Sequence, residues 1–245
     1  KIQRLTPLYN YQFEQITGEN TVLSISEFYY SLIGVELSYS PFSKVMYNGS
    51  KLVDISAKYP VFDLSYQRTI PYLTTNKFSR LLVKVTDNFS LPFFGKSNFA
   101  IVGGLVSKEV PFSYLFNQQG TKKDFEISVF ESFETMYVNE FYSSAFVNAF
   151  WEQNFGTFLR KGPFQPELAL YQGIGFGDKV KVNHHAHIEG KTMEKGFYES
   201  GVKIHNIIHS GTSGLGFGMF YRYGPYALDK QKENFTYKIT ISIRF

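Results

Sequence analysis

At positions 235–245 the sequence reads Phe235-Thr236-Tyr237-Lys238-Ile239-Thr240-Ile241-Ser242-Ile243-Arg244-Phe245. Apolar and polar residues alternate there without a fault. Side chains of a strand point to opposite faces at successive positions, so one face of this segment is wholly apolar and the other polar. At about 3.3 Å per residue, a tilted strand of this length spans about 30 Å of hydrocarbon. In water, so apolar an edge strand would invite pairing with other chains, and closure of the sheet into a barrel removes the edge. The segment is expected to be the last strand of a transmembrane barrel. Phe235, Tyr237, Ile239, Ile241, Ile243 and Phe245 then form the apolar face and a C-terminal assembly signal.

Composition agrees with strands. Of 245 residues, 26 are Phe and 18 are Tyr, an excess of rings that pleated sheets accommodate well. No run approaches the ~18 consecutive apolar residues of a membrane-spanning helix. A chain that crosses lipid without helices must do so as a closed barrel, because hydrocarbon satisfies no exposed backbone group. The lack of cysteine suits passage through an oxidising compartment. A net charge of +4 suits anionic lipid headgroups. Without a basic run, zinc-ligand spacing or a recognition helix, nucleic acid is excluded as a partner.

The alternation recurs upstream. Ile33, Val35, Leu37 and Tyr39 oppose Gly34, Glu36 and Ser38, and the Asn48-Gly49 pair signals a hairpin leading into a shorter strand through Leu52, Asp54 and Ser56. Phe62, Leu64 and Tyr66 oppose Asp63, Ser65 and Gln67; Leu81, Val83 and Val85 oppose Arg80, Lys84 and Thr86, with Leu82 an exception. Ala145, Val147, Ala149 and Trp151 oppose Ser144, Asn148 and Glu152, while Phe146 and Phe150 fall on the polar side and predict a packed lumen there. Tyr198, Val202 and Ile204 oppose Glu199, Lys203 and His205, and Leu215, Phe217, Met219, Tyr221 and Tyr223 oppose a row of glycines and Arg222. The residues expected to face the lumen are therefore Glu36, Asp63, Arg80, Lys84, Asn148, Glu199, Lys203, Arg222, Lys238 and Arg244, with Glu199 and Lys203 paired as charges.

Glycines at 103, 104, 173, 175, 177, 214, 216 and 218 relieve crowding where a wall bends or another surface comes close. The polar stretches Gln118 to Lys123 and Gly177 to Glu194 read as outward loops. Residues 1–27 alternate poorly and read as a lead-in or frayed first strand, and residues 28–245 as the barrel. With Lys1 in place of an initiating Met and no signal peptide, the chain is expected to be either a processed product or a portion of a longer protein, the second being what a family resemblance of several segments implies.

Several segments together carry a family resemblance: Tyr59-Pro60-Val61-Phe62-Asp63-Leu64-Ser65-Tyr66, Val110-Pro111-Phe112-Ser113-Tyr114-Leu115-Phe116, Asn139-Glu140-Phe141-Tyr142-Ser143, the run from Phe155-Gly156 to Phe164, and Gly214-Leu215-Gly216-Phe217-Gly218-Met219-Phe220-Tyr221-Arg222-Tyr223-Gly224-Pro225-Tyr226. In order and spacing they resemble a family of Bacteroidota outer-membrane barrels that usually carry an N-terminal carboxypeptidase-regulatory-like domain. The resemblance covers residue 30 onward and implies a membrane barrel with no assigned enzymatic activity. The glycine-rich ending also resembles the last strands of BamA-type assembly barrels, although their Val-Arg-Gly-Phe/Tyr lumen motif has no counterpart here.

Two chemical readings compete with a purely structural role. His185, His187 and Glu189 share one face of an extended segment and are candidate metal ligands, weighed against a polar loop that happens to hold histidine. A barrel hydrolase would need a nucleophile, a base and an orienting group in contact. His205 shares a face with Glu199 and Lys203, but at strand spacing they lie about 7 Å or more apart, and no Gly-x-Ser-x-Gly elbow exists. The sequence thus predicts an all-β, antiparallel, transmembrane barrel of the bacterial outer membrane with about 10–14 strands. The expected role is a non-enzymatic structural or accessory subunit of an outer-membrane assembly or transport complex, or alternatively a passive pore for small solutes. No cofactor is expected. Expected partners are outer-membrane lipid and lipopolysaccharide, BamA-type machinery for insertion, and other outer-membrane subunits.

Overall fold

The computed structural model describes residues 2–5, 12–17, 21–25, 27–41, 44–48, 51–56, 60–71, 74, 77–107, 110–123, 127–178, 185–186, 191–210 and 213–243. Ten strands form one antiparallel sheet: β1 (Ile2–Leu5), β2 (Phe28–Tyr39), β3 (Val61–Thr69), β4 (Ser79–Leu91), β5 (Gly95–Val106), β6 (Ala145–Thr157), β7 (Glu167–Gly177), β8 (Phe197–Ser210), β9 (Ser213–Tyr223) and β10 (Phe235–Ile243). Each pairs with its neighbour in sequence. Period-two sequences make that meander the least costly order, since pairing with the neighbour in sequence closes the shortest loop the chain allows. Among the described residues no helix is long and apolar enough to cross a membrane, which says nothing about crossing by strands.

The expected closure into a barrel is not seen: β1 and β10 are the two ends of an open sheet. β1 covers only the Phe28–Ser31 part of β2, so the rest of β2 is an unpaired edge among the described residues. The expected hairpin and its shorter strand through Leu52, Asp54 and Ser56 form, but outside the ten-stranded sheet. Lys44–Asn48 and Lys51–Ser56 pair with each other as a separate hairpin, with Asn48 opposite Lys51, one residue beyond the register in which Asn48-Gly49 would themselves be the two loop residues. Residues 2–5 join the sheet, while Gln12–Thr17 and Thr21–Ile25 form a second small sheet with His185–Ala186.

The two faces of the sheet differ in kind. One face of β10 exposes Tyr237, Ile239 and Ile241, at 58%, 40% and 50%, while Lys238 and Thr240 on the other are 1% and 2% exposed. The same inversion, apolar outside and polar buried, runs through Val147 and Trp151 of β6, Leu168 and Leu170 of β7, Val202 of β8, and Leu215, Phe217 and Met219 of β9. From β6 to β10 the outward face carries no charged residue among those described. A sheet in water would bury the apolar face and wet the polar one.

The two rims of the sheet differ as well. At one, strands join through residues 92–94, 158–166 and 211–212, with the longer 40–60 as exception; at the other lie 70–78, 107–144, 178–196 and 224–234. The longest of these turns back across the polar face.

Candidate functional site

Residues 110–123 and 127–142, between β5 and β6, lie against the polar face of the sheet. The segment is built of short pieces: a 3-10 turn at Phe112–Tyr114, strand Phe116–Asn117 paired with Tyr142–Ser143, and strand Gly120–Lys122 running parallel to Phe133–Tyr137. Of the loop expected over Gln118 to Lys123, Gln118 is only 2% exposed and Gly120–Lys122 form a half-buried strand, while Gln119 and Lys123 stay exposed. Gln118 accepts from Asn148 of the wall at 2.8 Å, while the Gln118 Nε2 and Asn148 Oδ1 atoms are buried without a hydrogen bond.

Rings anchor the segment in two clusters. Phe133, Met136 and Phe141 pack with Phe150, Tyr171, Phe197 and Phe220 of β6 to β9. Phe133 lies 4.9 Å, centroid to centroid, from both Phe150 and Phe197, within the range of favourable aromatic pairs. Tyr114, Leu115 and Phe116 join Phe28, Tyr30, Leu32, Phe78 and Val106 in the second cluster, where Leu82, out of pattern in its strand, also packs. The inward positions of Phe146 and Phe150, expected to give a packed lumen, meet this segment.

Two inward glycines make room for it. A Cβ on Gly104 would stand 2.7 Å from the Phe116 ring and one on Gly175 would stand 2.6 Å from the Phe133 ring. These contacts answer why glycine falls there: another surface comes close. Gly175→Val is expected to cost about 1–3 kcal/mol by overpacking, read as a lowered midpoint in thermal or denaturant unfolding. A variant as stable as the parent would show that Phe133 does not rest on β7.

Charges then fix the register. Glu134 is fully buried and lies 2.9 Å from the Lys238 ammonium of β10 and 3.7 Å from that of Lys203 on β8. Lys203 also donates to Glu152 of β6 at 2.8 Å, and Lys238 to the Thr121 hydroxyl at 2.6 Å. The expected Glu199–Lys203 pair does not form, because both are occupied elsewhere. Glu199 accepts the backbone N–H groups of Glu134 and Thr135 at 2.7 and 2.8 Å, the Thr135 hydroxyl at 2.7 Å and the Tyr171 hydroxyl at 3.0 Å. Four donors satisfy the lone pairs of a carboxylate without a counterion. Nearby, Arg222 of β9 grips Glu140 through two hydrogen bonds of 2.9 and 3.1 Å, the bidentate fork that a guanidinium and a carboxylate make best.

Seven of the ten residues expected to face a lumen thus touch this one segment. Besides Glu199, Lys203, Arg222 and Lys238, Lys84 pairs with Glu131 at 2.6 Å, Asn148 donates to Gln118 at 2.8 Å, and the Arg80 guanidinium lies 4.2 Å from the centre of the Phe116 ring. Burial pushes the nearby Tyr114 hydroxyl above its ordinary range, and the Arg80 charge draws it partly back. Asp63 accepts the Ser38 hydroxyl, and Glu36 is exposed on the stretch of the polar face that the segment leaves bare. Arg244 and Phe245 lie outside the described residues. So do His187 and Glu189; His185 is buried against the rings of Phe13 and Phe112, and no metal-binding group occurs among the described residues. His205 Nε2 stands 3.6 Å from a Glu152 oxygen, with no hydroxyl on its other nitrogen.

The segment itself left only an indirect trace in the sequence. Phe146, Phe150, Phe197 and Phe220 interrupt a polar face beside glycines, and rings in such a place need something to cover them.

This arrangement is an open antiparallel β-sheet with a buried polar face and an exposed apolar one, crossed by its own connecting segment. Residues 10–164, more than half of the chain, match the model described as the family of unknown function (DUF5686) C-terminal domain, and the chain belongs to that family. No curated protein and no solved structure matches it.

Proposed function

We propose that this chain forms the wall of a β-barrel in the bacterial outer membrane, with its lumen filled by residues 110–142, and serves as a structural or accessory subunit of an outer-membrane complex. One observation carries the reading: the outward face of β6 to β10 is free of charge while the opposite face buries Lys203, Lys238, Arg222, Glu134 and Glu199. Lipid outside and a packed polar interior account for that inversion, and water outside does not. The short connections then lie on the periplasmic side and the longer loops outside, as in known bacterial barrels. The reading asks that the outer edges of β2 and β10 meet in the membrane, with residues 127–128 leaving the edge of β10 at Ile239, and that the C-terminal signal ending in Phe245 serve insertion by BamA-type machinery.

Met219 sits mid-strand on the apolar face. Met219→Arg is expected to cost about 2–4 kcal/mol of folding free energy in lipid vesicles, whereas Ser213→Arg at the rim costs about 0–1 kcal/mol. Folding titrations in vesicles measure both, and equal costs at the two depths would refute a lipid-facing wall. Extraction from native membranes in mild detergent, followed by mass spectrometry, tests the subunit role: stoichiometric companions support it, and a barrel recovered alone opposes it.

A second reading, a passive pore for small solutes, draws on one feature. The polar face of β2, with Glu36 and Ser38, is exposed and not covered by the segment. Conductance decides between the two.

A further inference from the structure

The apolar outward face ends at the long-loop rim on a cation. Along β3 the outward positions are Phe62, Leu64, Tyr66 and then Arg68. Arg68 is opposite Ile33 of β2 and Ser79 of β4, so all three share the outward side. Beside it opens a cavity of about 390 Å³ lined by Arg68, Lys77, Ser79, Ser107, Thr69 and Tyr66, among others.

The polar groups of this cavity are not consumed by one another. The Ser107 hydroxyl accepts the Ser79 N–H at 2.9 Å, which leaves its own proton for a ligand. Thr69 is used up by the backbone of Phe78, to which it both donates and from which it accepts. Neither Arg68 nor Lys77 forms an ion pair among the described residues. Arg4, on the same rim and the same outward side, is different: its guanidinium is 3.2 Å from Glu27 and stacks on Tyr29. Two exposed cations flanking hydroxyls in one concavity, without a carboxylate among the described residues that line it, make an anion site, and the fork of arginine suits phosphate oxygens.

What lies below the cavity chooses the anion. Ile33 lies beside Arg68, and Tyr66, with Val35 and Leu81 opposite it, continues the outward apolar face from the cavity toward the sheet centre. A ligand with phosphate at one end and hydrocarbon at the other fits both. Resting on the membrane reading above, we propose that this cleft binds the phosphate-bearing headgroup of a lipid in the leaflet at the long-loop rim, its acyl chains lying along Tyr66 and Ile33.

Binding of lipid A is measured on the full chain in detergent micelles by native mass spectrometry, so the readout does not depend on insertion. The Arg68→Ala, Lys77→Ala double variant is expected to bind lipid A at least about tenfold more weakly, and Arg4→Ala to bind as the parent does. Lipid A stripped of its phosphates is expected to bind the parent no better than the double variant. Equal binding by parent and double variant overturns the proposal. Inorganic phosphate at millimolar concentration displacing lipid A completely overturns the lipid assignment and leaves a soluble-phosphate site. Vesicle insertion is scored separately: failure to insert, with charge-dependent lipid A binding intact, removes the barrel reading alone, whereas insertion with charge-independent binding removes this one alone.

Discussion

Glu134→Ala is expected to lower stability by about 3–5 kcal/mol, the loss typical of one partner removed from a buried ion pair. Glu134 reaches both Lys238, at 2.9 Å, and Lys203, at 3.7 Å. Lys203 keeps Glu152 when Glu134 is gone. Lys238 keeps the Thr121 hydroxyl among its partners, and an ammonium this deeply buried is disfavoured when the carboxylate 2.9 Å from it is removed. The loss should therefore fall mainly on β10. Unfolding of the detergent-solubilised protein measures it, and Lys238→Met on the alanine background should recover most of it, since both ends of the pair are then apolar. A loss below about 1 kcal/mol would mean the cluster is wet, like an exposed ion pair.

Deleting residues 118–140 behind a short flexible linker should have the largest functional effect. The intact chain in a planar bilayer is expected to be silent, and the deleted chain to conduct in discrete steps. The deletion removes Glu131, Glu134 and Glu140 together with Phe133 and Met136, and so uncovers Lys84, Lys203, Lys238 and Arg222. Those four cations outnumber Glu152 and Glu199 beside them, while Glu36 and Asp63 stand on β2 and β3, so the channel opened beneath the segment should favour anions. Reversal potentials in a salt gradient read that preference. Steady conductance by the intact chain would instead favour the pore reading, with solutes passing along the bare face of β2 near Glu36 and Ser38.

How much of this was legible in the sequence depends on the range of the interaction. Which side chains share a face follows from period two alone, and the alternation through Tyr237, Lys238, Ile239, Thr240 and Ile241 is matched residue by residue in their burial. The hairpin at Asn48 is equally local. Pairing partners were not legible. Glu199 and Lys203 stand on the same face of one strand and look like a pair, yet each is claimed by a residue more than 50 positions away: Glu199 by Thr135 and Lys203 by Glu152. Residues 118–123 read as a solvent loop because they are polar, and polarity does not distinguish a side chain facing water from one facing buried charge. The separate Lys44–Ser56 hairpin shows the same limit: alternation gives a strand, not the sheet it joins.

The last strand brings more than its own pairing with β9. It supplies the ammonium of Lys238 to Glu134, and at the next residue the carbonyl of Ile239 accepts the Ser128 N–H at 2.9 Å. Ile127 bridges to Ile239 in parallel sense on the edge that β9 does not use. Nine strands without the tenth can hold the rings of the segment but can offer neither that cation nor that carbonyl. In synthesis order, the 110–142 segment is made long before the strand that completes its seat. Its firm docking is thus a consequence of a finished wall, and the segment serves as the chain's own record that assembly has reached its end.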